Sequence, residues 1–246
     1  MNCFVCKKHN IFLHILNSTK NYLLEIEGEK MKKAIRMVKK YAESVFIEKK
    51  SRFISYIAPV YTEQEAADFI HTIKKKHYDA SHNCSAFIIG ETSSIQRSSD
   101  DGEPSGTAGV PILEVLRKEC LTNTVVVVTR YFGGIMLGAG GLIRAYTQGC
   151  ADAVRAAGIM KLQPYAVYSI KMDYNLLDKI QHEINKKAYI LADTQYLEIV
   201  TLKILAEPEK GEELQNDLIQ WTNANALIEY QGIEVLKIDE LTQKII

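Results

Sequence analysis

Apolar positions fall into clear periods from Glu43 onward. SVFIEKK (44–50) and RFISYIAPV (52–60) are rich in β-branched and aromatic residues and predict two strands, the second ending near Pro59. Thr62 with Glu65 three residues later matches a capping box, and EQEAADFIHTIKKKH predicts a helix with Ala66, Phe69, Ile70 and Ile73 on one face. NCSAFIIG is a third strand and IQRSS a short fourth. SGTAGVPILEVLRKE reads as a helix that tolerates Pro111 in its first turn. TNTVVVVTRYF carries an uninterrupted apolar run, expected of a central strand covered on both faces. A glycine-rich turn then leads into the helix GLIRAYTQGCADAVRAAG.

After GIMKLQP, where glycine and proline bracket a break in the pattern, the order becomes strand, helix, strand, strand, helix, strand. YAVYSIKMDY, NLLDKIQHEINKK, ILADTQYLE, IVTLKILAEP, EKGEELQNDLIQWTNA and ALIEYQGIEVLKI supply the six elements of a split βαβ, ferredoxin-like domain. Trp221 falls on a helix, where core packing is the ordinary role. The fold class expected is α+β with two domains: an N-terminal α/β domain over 41–158, a linker at 159–164 and a ferredoxin-like domain over 165–246.

Residues 1–40 show neither period. They are read as an extension, either a loosely ordered arm or the product of a misassigned start, with Met31 or Met37 as alternative first residues. Cys3, Cys6, His9 and His14 hint at zinc there, but a finger needs tighter four-ligand spacing. The chain is 47% apolar and 24% charged, as globular proteins are. Its net charge of zero conceals an asymmetry: residues 1–40 hold nine Lys/Arg against three Asp/Glu, residues 159–246 nine against fourteen. Such a balance excludes a general polyanion binder and leaves only local patches for nucleic acid. No apolar run spans a membrane and no cleavage site follows the first residues. The five cysteines lack framework spacing. Together these features predict a soluble, cytoplasmic protein with reduced thiols.

The densest segment is TRYFGGIMLGAGGLIRAY (129–146), with Gly133, Gly134, Gly138, Gly140 and Gly141 between a strand and a helix. A Walker A loop would need lysine and Ser/Thr after Gly138, where Ala139 and Gly140 stand. A dinucleotide fingerprint would need glycine at Ile143. Neither applies. Two readings stay open: a tight turn built for packing, or a contact site in which Arg130 and Arg144 clamp an anion or partner and Tyr131 stacks on a base. The second requires both guanidinium groups to point outward together.

KKKHYDASHNC (74–84) and RSSDDGEPSGTAG (97–109) form a second cluster. His77, Asp79, His82, Cys84, Asp100, Asp101 and Glu103 could supply acid–base or metal chemistry. His82 and Cys84 share a strand face, so a thiol–imidazole pair is conceivable, although no third orienting group is visible. The plainer reading is structural hydrogen bonding and partner contact. Lys74, Lys75 and Lys76 suit a solvated helix end and matter for nucleic acid only beside the arginines.

On SRF, KKKHYDASHNCSAFIIG, DDGEPSGTAG and VVVVTRYFGGIMLGAGGLIRAY, taken in order, the chain from about Tyr41 resembles the YigZ/IMPACT family. The resemblance implies an N-terminal domain similar to domain IV of elongation factor G and a ferredoxin-like domain similar to its domain V. It also implies a translation-linked role. The function expected is therefore a non-enzymatic binding or regulatory protein contacting RNA, the ribosome or a translation-associated protein, with no cofactor and no metal. The alternatives are a small hydrolase using Cys84 and His82 or a metal held by the acidic loop, and a protein–protein regulatory module without nucleic acid.

Overall fold

The computed structural model describes residues 34–242 and 244–246. The cysteine–histidine cluster at 3–14 lies outside them. Chain contacts divide the described residues into two units, Ile35–Leu162 with Lys237–Ile246, and Gln163–Leu236.

In the first unit, β2 (Ala42–Glu48), β3 (Ser51–Pro59), β4 (His82–Ile89), β5 (Ile95–Ser99) and β6 (Thr124–Tyr131) form an antiparallel sheet in the order β2-β3-β6-β4-β5. The valine run places β6 at the centre, with Val125 to Val128 fully buried. Side-chain alternation divides the sheet between two cores. Phe53, Ile57, Cys84, Ala86, Val126 and Val128 pack beneath α2 (Gly109–Lys118) and α3 (Ala139–Ala157). Ile54, Tyr56, Phe87, Val125 and Val127 pack beneath α1 (Glu63–Lys76). Thr62 caps α1 by accepting from the Glu65 amide at 3.2 Å, and the Glu65 carboxylate reaches back to the Tyr61 amide at 2.8 Å. This is the reciprocal box read from the sequence, displaced by one residue.

Two features differ from expectation. Within the supposed extension, β1 (Ile35–Val38) pairs antiparallel with residues 159–162 and buries Ile35, Met37 and Val38. Four residues between lysines are too short to show a period. The supposed linker is strand: β7 runs from Ile159 to Met172 without a break. Pro164 interrupts nothing there, because it falls between the residues paired with β1 and those paired with β9 (Val200–Ala206). Gly158 caps α3 at φ 69°, which is the local reason for a glycine there.

The second unit follows the pattern β7, α4 (Leu177–Lys186), β8 (Ile190–Tyr196), β9, α5 (Gly211–Trp221), β10 (Leu227–Asp239). Strand order β10-β7-β9-β8 is that of a split βαβ fold. Its core joins Ile170, Leu202 and Ile204 to Ile180, Ile184, Leu214 and Leu218, with Trp221 packed against it. The chain is thus a two-domain α+β protein. Among the described residues, no helix is long and apolar enough to cross a membrane.

Residues after β10 return to the first unit, where Arg36 bonds Glu240 at 2.5 and 2.8 Å and Lys39 pairs with Asp239. The Lys39 ammonium and the Thr242 and Leu241 amides hold Asp239 at about 2, below its ordinary 3.8. A folded value below the unfolded one means that the contribution is complete above about pH 4 and is lost as pH falls through about 2. Asp239→Asn is expected to lower the thermal midpoint at pH 6 and to flatten its dependence on pH between those limits. Midpoint curves parallel to wild type would contradict this.

Candidate functional site

Register places the chemistry-bearing residues at one end of the first sheet. Phe53 and His82 stand opposite Arg130 from either side, and Arg52 stands opposite Tyr131. Neighbours along a strand point to opposite faces. Arg130 therefore enters the core beneath α2 and α3, while Tyr131 turns toward α1.

Arg130 is 5% exposed. Its Nη1 donates to Glu103 Oε1 at 2.7 Å, and Tyr146 of α3 donates its hydroxyl to the same oxygen at 2.7 Å. Nη2 reaches Ser51 Oγ at 3.4 Å. Among the described residues Nε has no hydrogen-bond acceptor, and the guanidinium lies 5.6 Å from the centre of the Phe53 ring and 5.4 Å from that of Phe132. The ring faces supply part of the missing compensation. Burial first, and then the nearby Cys84 and Glu103, push the Tyr146 hydroxyl far above its usual range, so it remains a donor. Arg130 is thus locked to a carboxylate inside the fold, and the expectation that it faces solvent beside Arg144 is corrected. Arg144 is exposed on the first turns of α3 and forms no ion pair among the described residues.

The acidic loop is equally committed. Burial raises the Asp100 carboxyl, but amides of Gly106, Gly109 and Ala108 at 2.8–3.0 Å outweigh it and hold the group below its usual value. Asp101 accepts from Lys74 Nζ at 2.5 Å and from the Asn83 amide at 2.7 Å. His82 bonds the Asp101 carbonyl through Nδ1 at 2.9 Å, leaving Nε2 3.9 Å from Glu103 Oε2. These contacts fasten the 100–108 loop to β4 and to the start of α2.

Cys84 is fully buried and donates to the Asp100 carbonyl. No histidine lies within hydrogen-bond reach of it among the described residues. Burial pushes its thiol up to about 12. At neutral pH it is a packed thiol without a base, so the Cys84–His82 hydrolase reading fails. Among the described residues, no three His, Cys, Asp or Glu side chains converge as metal ligands.

The lysines and Tyr131 belong to the opposite face of the sheet. Lys76 lies 4.4 Å over the Tyr56 ring and donates to its hydroxyl at 3.1 Å. Tyr56 bonds His77 Nε2 at 2.6 Å, His77 Nδ1 bonds the Tyr131 hydroxyl at 2.9 Å, and Tyr131 donates to Asp79 at 2.9 Å. Burial, then Lys76, lowers the His77 pKa, which suits a neutral ring donating on one side and accepting on the other. Arg52 stands 4.6 Å over the Tyr131 ring, covering a face that base stacking would need. Lys75 is exposed at the end of α1. Lys74–Lys76 therefore do not gather with Arg130.

The glycine turn that closes over this end has specific backbone needs. Gly134 and Gly138 adopt φ 82° and 71°. A Cβ on Gly133 would fall 2.1 Å from the Lys50 carbonyl, so the turn presses on the β2–β3 hairpin there. One on Gly141 would meet Leu137 at 3.1 Å, whereas Gly140 is open apart from Arg144 at 3.7 Å. Between these anchors the turn displays Ile135 and Met136, the latter 86% exposed; Phe132 is half exposed just before Gly133, and Ile143 is exposed on α3 beyond the turn. Sequence reasoning missed Tyr146, Ser51 and Phe53 as members of the buried cluster. A tyrosine on the apolar face of α3 was the available signal, since its hydroxyl must find a partner.

Comparison with known proteins adds to this geometry. Residues 49–154 match the Impact N-terminal domain, and residues 170–225 match a domain of unknown function, DUF1949. IMPACT family member YvyE of Bacillus subtilis is 44% identical over 189 residues, covering 77% of this chain and 87% of the relative. The chain belongs to the IMPACT family. Member YigZ of Escherichia coli is 32% identical over 72% of this chain and 88% of its own length. A crystal structure described as that of a hypothetical protein superposes with a TM-score of 0.52 at 30% identity, over 80% of this chain and 97% of the other.

A family member whose Cys84 only packs the core should resist alkylation. With iodoacetamide at about pH 8, site-resolved mass spectrometry is expected to find Cys120 modified and Cys84 and Cys150 unmodified until the chain unfolds. Rapid modification of folded Cys84 would restore a reactive thiol.

Proposed function

We propose that this IMPACT family protein is a non-enzymatic binding module that docks a component of the translation apparatus through its glycine turn. The observation that carries the reading is a contrast: the polar residues at the turn's base bind one another, while Ile135 and Met136 stand exposed at its tip and Phe132 is half exposed beside the base. Exposed apolar groups on a turn with an anchored base suit partner contact without a large ordering cost. A translation-linked partner is what the family resemblance implies.

Of the two partner chemistries, the apolar tip favours a protein surface over bare RNA. Arg144, and Lys49 and Lys50 on the hairpin that Gly133 touches, are exposed cations beside the turn without an ion pair among the described residues. Arg130 is committed to Glu103 and Tyr131 to His77 and Asp79. Three such cations limit the salt dependence, with a slope of log K against log salt no steeper than about −3.

Ribosome co-sedimentation tests this. Wild-type protein is expected to travel with ribosomal particles across a salt series and to survive nuclease trimming of exposed RNA. Ile135→Asp with Met136→Asp should reduce the bound fraction about tenfold or more without lowering the melting temperature. Wild-type protein that stays at the top of the gradient, or a double variant that binds equally, would overturn the reading.

A further inference from the structure

A second feature of the first unit lies apart from the glycine turn. α1 packs over β6 and β4, and beside it a cleft of about 580 Å3 opens over the β4–β5 pair. β5 is the sheet edge on that side. The volume falls within the range of small-molecule sites, roughly 300–1,000 Å3.

The floor is apolar, made by Ala67 and Ile70 of α1 and Phe87 of β4. The polar groups around it are mostly donors with capacity left over. Ser85 is 4% exposed, yet its hydroxyl makes no hydrogen bond among the described residues. Its Oγ still opens onto the cleft, so the hydroxyl is a free donor for a ligand there. His71 and Ser98 also line the cleft and have no side-chain partner among the described residues. Lys74 is held at the cleft by Asp101. Arg97 reaches Glu63 only at 3.7 Å, with both side chains about half exposed or more. Glu63 is the one carboxylate in the lining. A lining rich in donors, with one acid at its margin, calls for a ligand rich in acceptors.

We propose that this cleft binds a small organic phosphate, its phosphoryl oxygens taken by the Ser85 hydroxyl and the His71, Lys74 and Arg97 side chains, and its ring or apolar portion resting on Ala67, Ile70 and Phe87. Phosphate matches the chemistry because three oxygens can use several N–H and O–H donors at once, with charge assistance from the guanidinium and the ammonium. The apolar floor explains why the cleft extends beyond what an inorganic ion fills. This site shares no residue with the docking turn, so the two readings fail independently.

Amide-resolved NMR titration of the full chain tests it, with adenosine monophosphate, inorganic phosphate and adenosine as probes. Adenosine monophosphate should shift the Ser85, Ser98 and Ser99 amides saturably. Inorganic phosphate should shift them more weakly, and adenosine should leave them in place. Ser85→Ala and the surface change Arg97→Glu should each weaken the nucleotide about tenfold while the remaining spectrum stays folded. Absence of a saturable shift from either phosphate below about 10 mM would overturn the proposal. So would unchanged affinity in both variants. A phosphoserine peptide that binds these amides more tightly than the nucleotide would replace the small molecule with a macromolecular ligand and overturn it too.

Discussion

The arrangement at the end of the first sheet depends on one buried ion pair, Arg130 with Glu103. Removing two charges from water costs several kcal/mol each, and their attraction repays this only when the remaining donors and acceptors are also satisfied. Tyr146, Ser51 and the flanking rings of Phe53 and Phe132 meet most of that demand. The consequence is geometric. Glu103 comes from the acidic loop, Arg130 from the central strand and Tyr146 from α3, so one pair fixes three segments. Asp100 does the same for the start of α2 through backbone amides. The glycine turn then closes over a finished base, with Gly133 against the Lys50 backbone.

This accounts for how two motifs rich in chemical groups are used in the fold. DDGEPSGTAG and TRYFGG are partners of each other. They meet at Arg130 and Glu103, while Asp100 is taken by backbone amides and Asp101 by Lys74, and Cys84 beneath them stays protonated. What remains available outward is apolar at the turn and donor-rich in the cleft beside α1. A rigid scaffold carrying a displayed turn is a common basis for binding function.

The elements of both units were legible because their periods were long and consistent, from the valine run of β6 to the six-element order of the second unit. The failures were local. β1 is four residues among lysines, and β7 contains a proline that happens to sit between two pairing partners. At this end of the sheet, spacing did not carry the directions of the side chains. Arg130 and Tyr131 are adjacent, so strand parity sends them to opposite faces, and that alone separates the arginine from Lys74–Lys76. Which face is closed depends on where α1 and α3 pack, a tertiary fact that spacing does not contain. Ser85 was passed over for a related reason: a serine in a strand gives no sign that its hydroxyl will lack a partner.

The central claim is that Arg130 and Glu103 stabilise the fold as a unit. A double-mutant cycle with Arg130→Met and Glu103→Leu, read from hydrogen exchange of the Val126–Val128 amides in β6, measures it directly. The account predicts a coupling of about 2 kcal/mol or more, with the double variant more stable than either single change would suggest. Losses that add to within about 0.5 kcal/mol would mean that the two side chains act separately, and would contradict it.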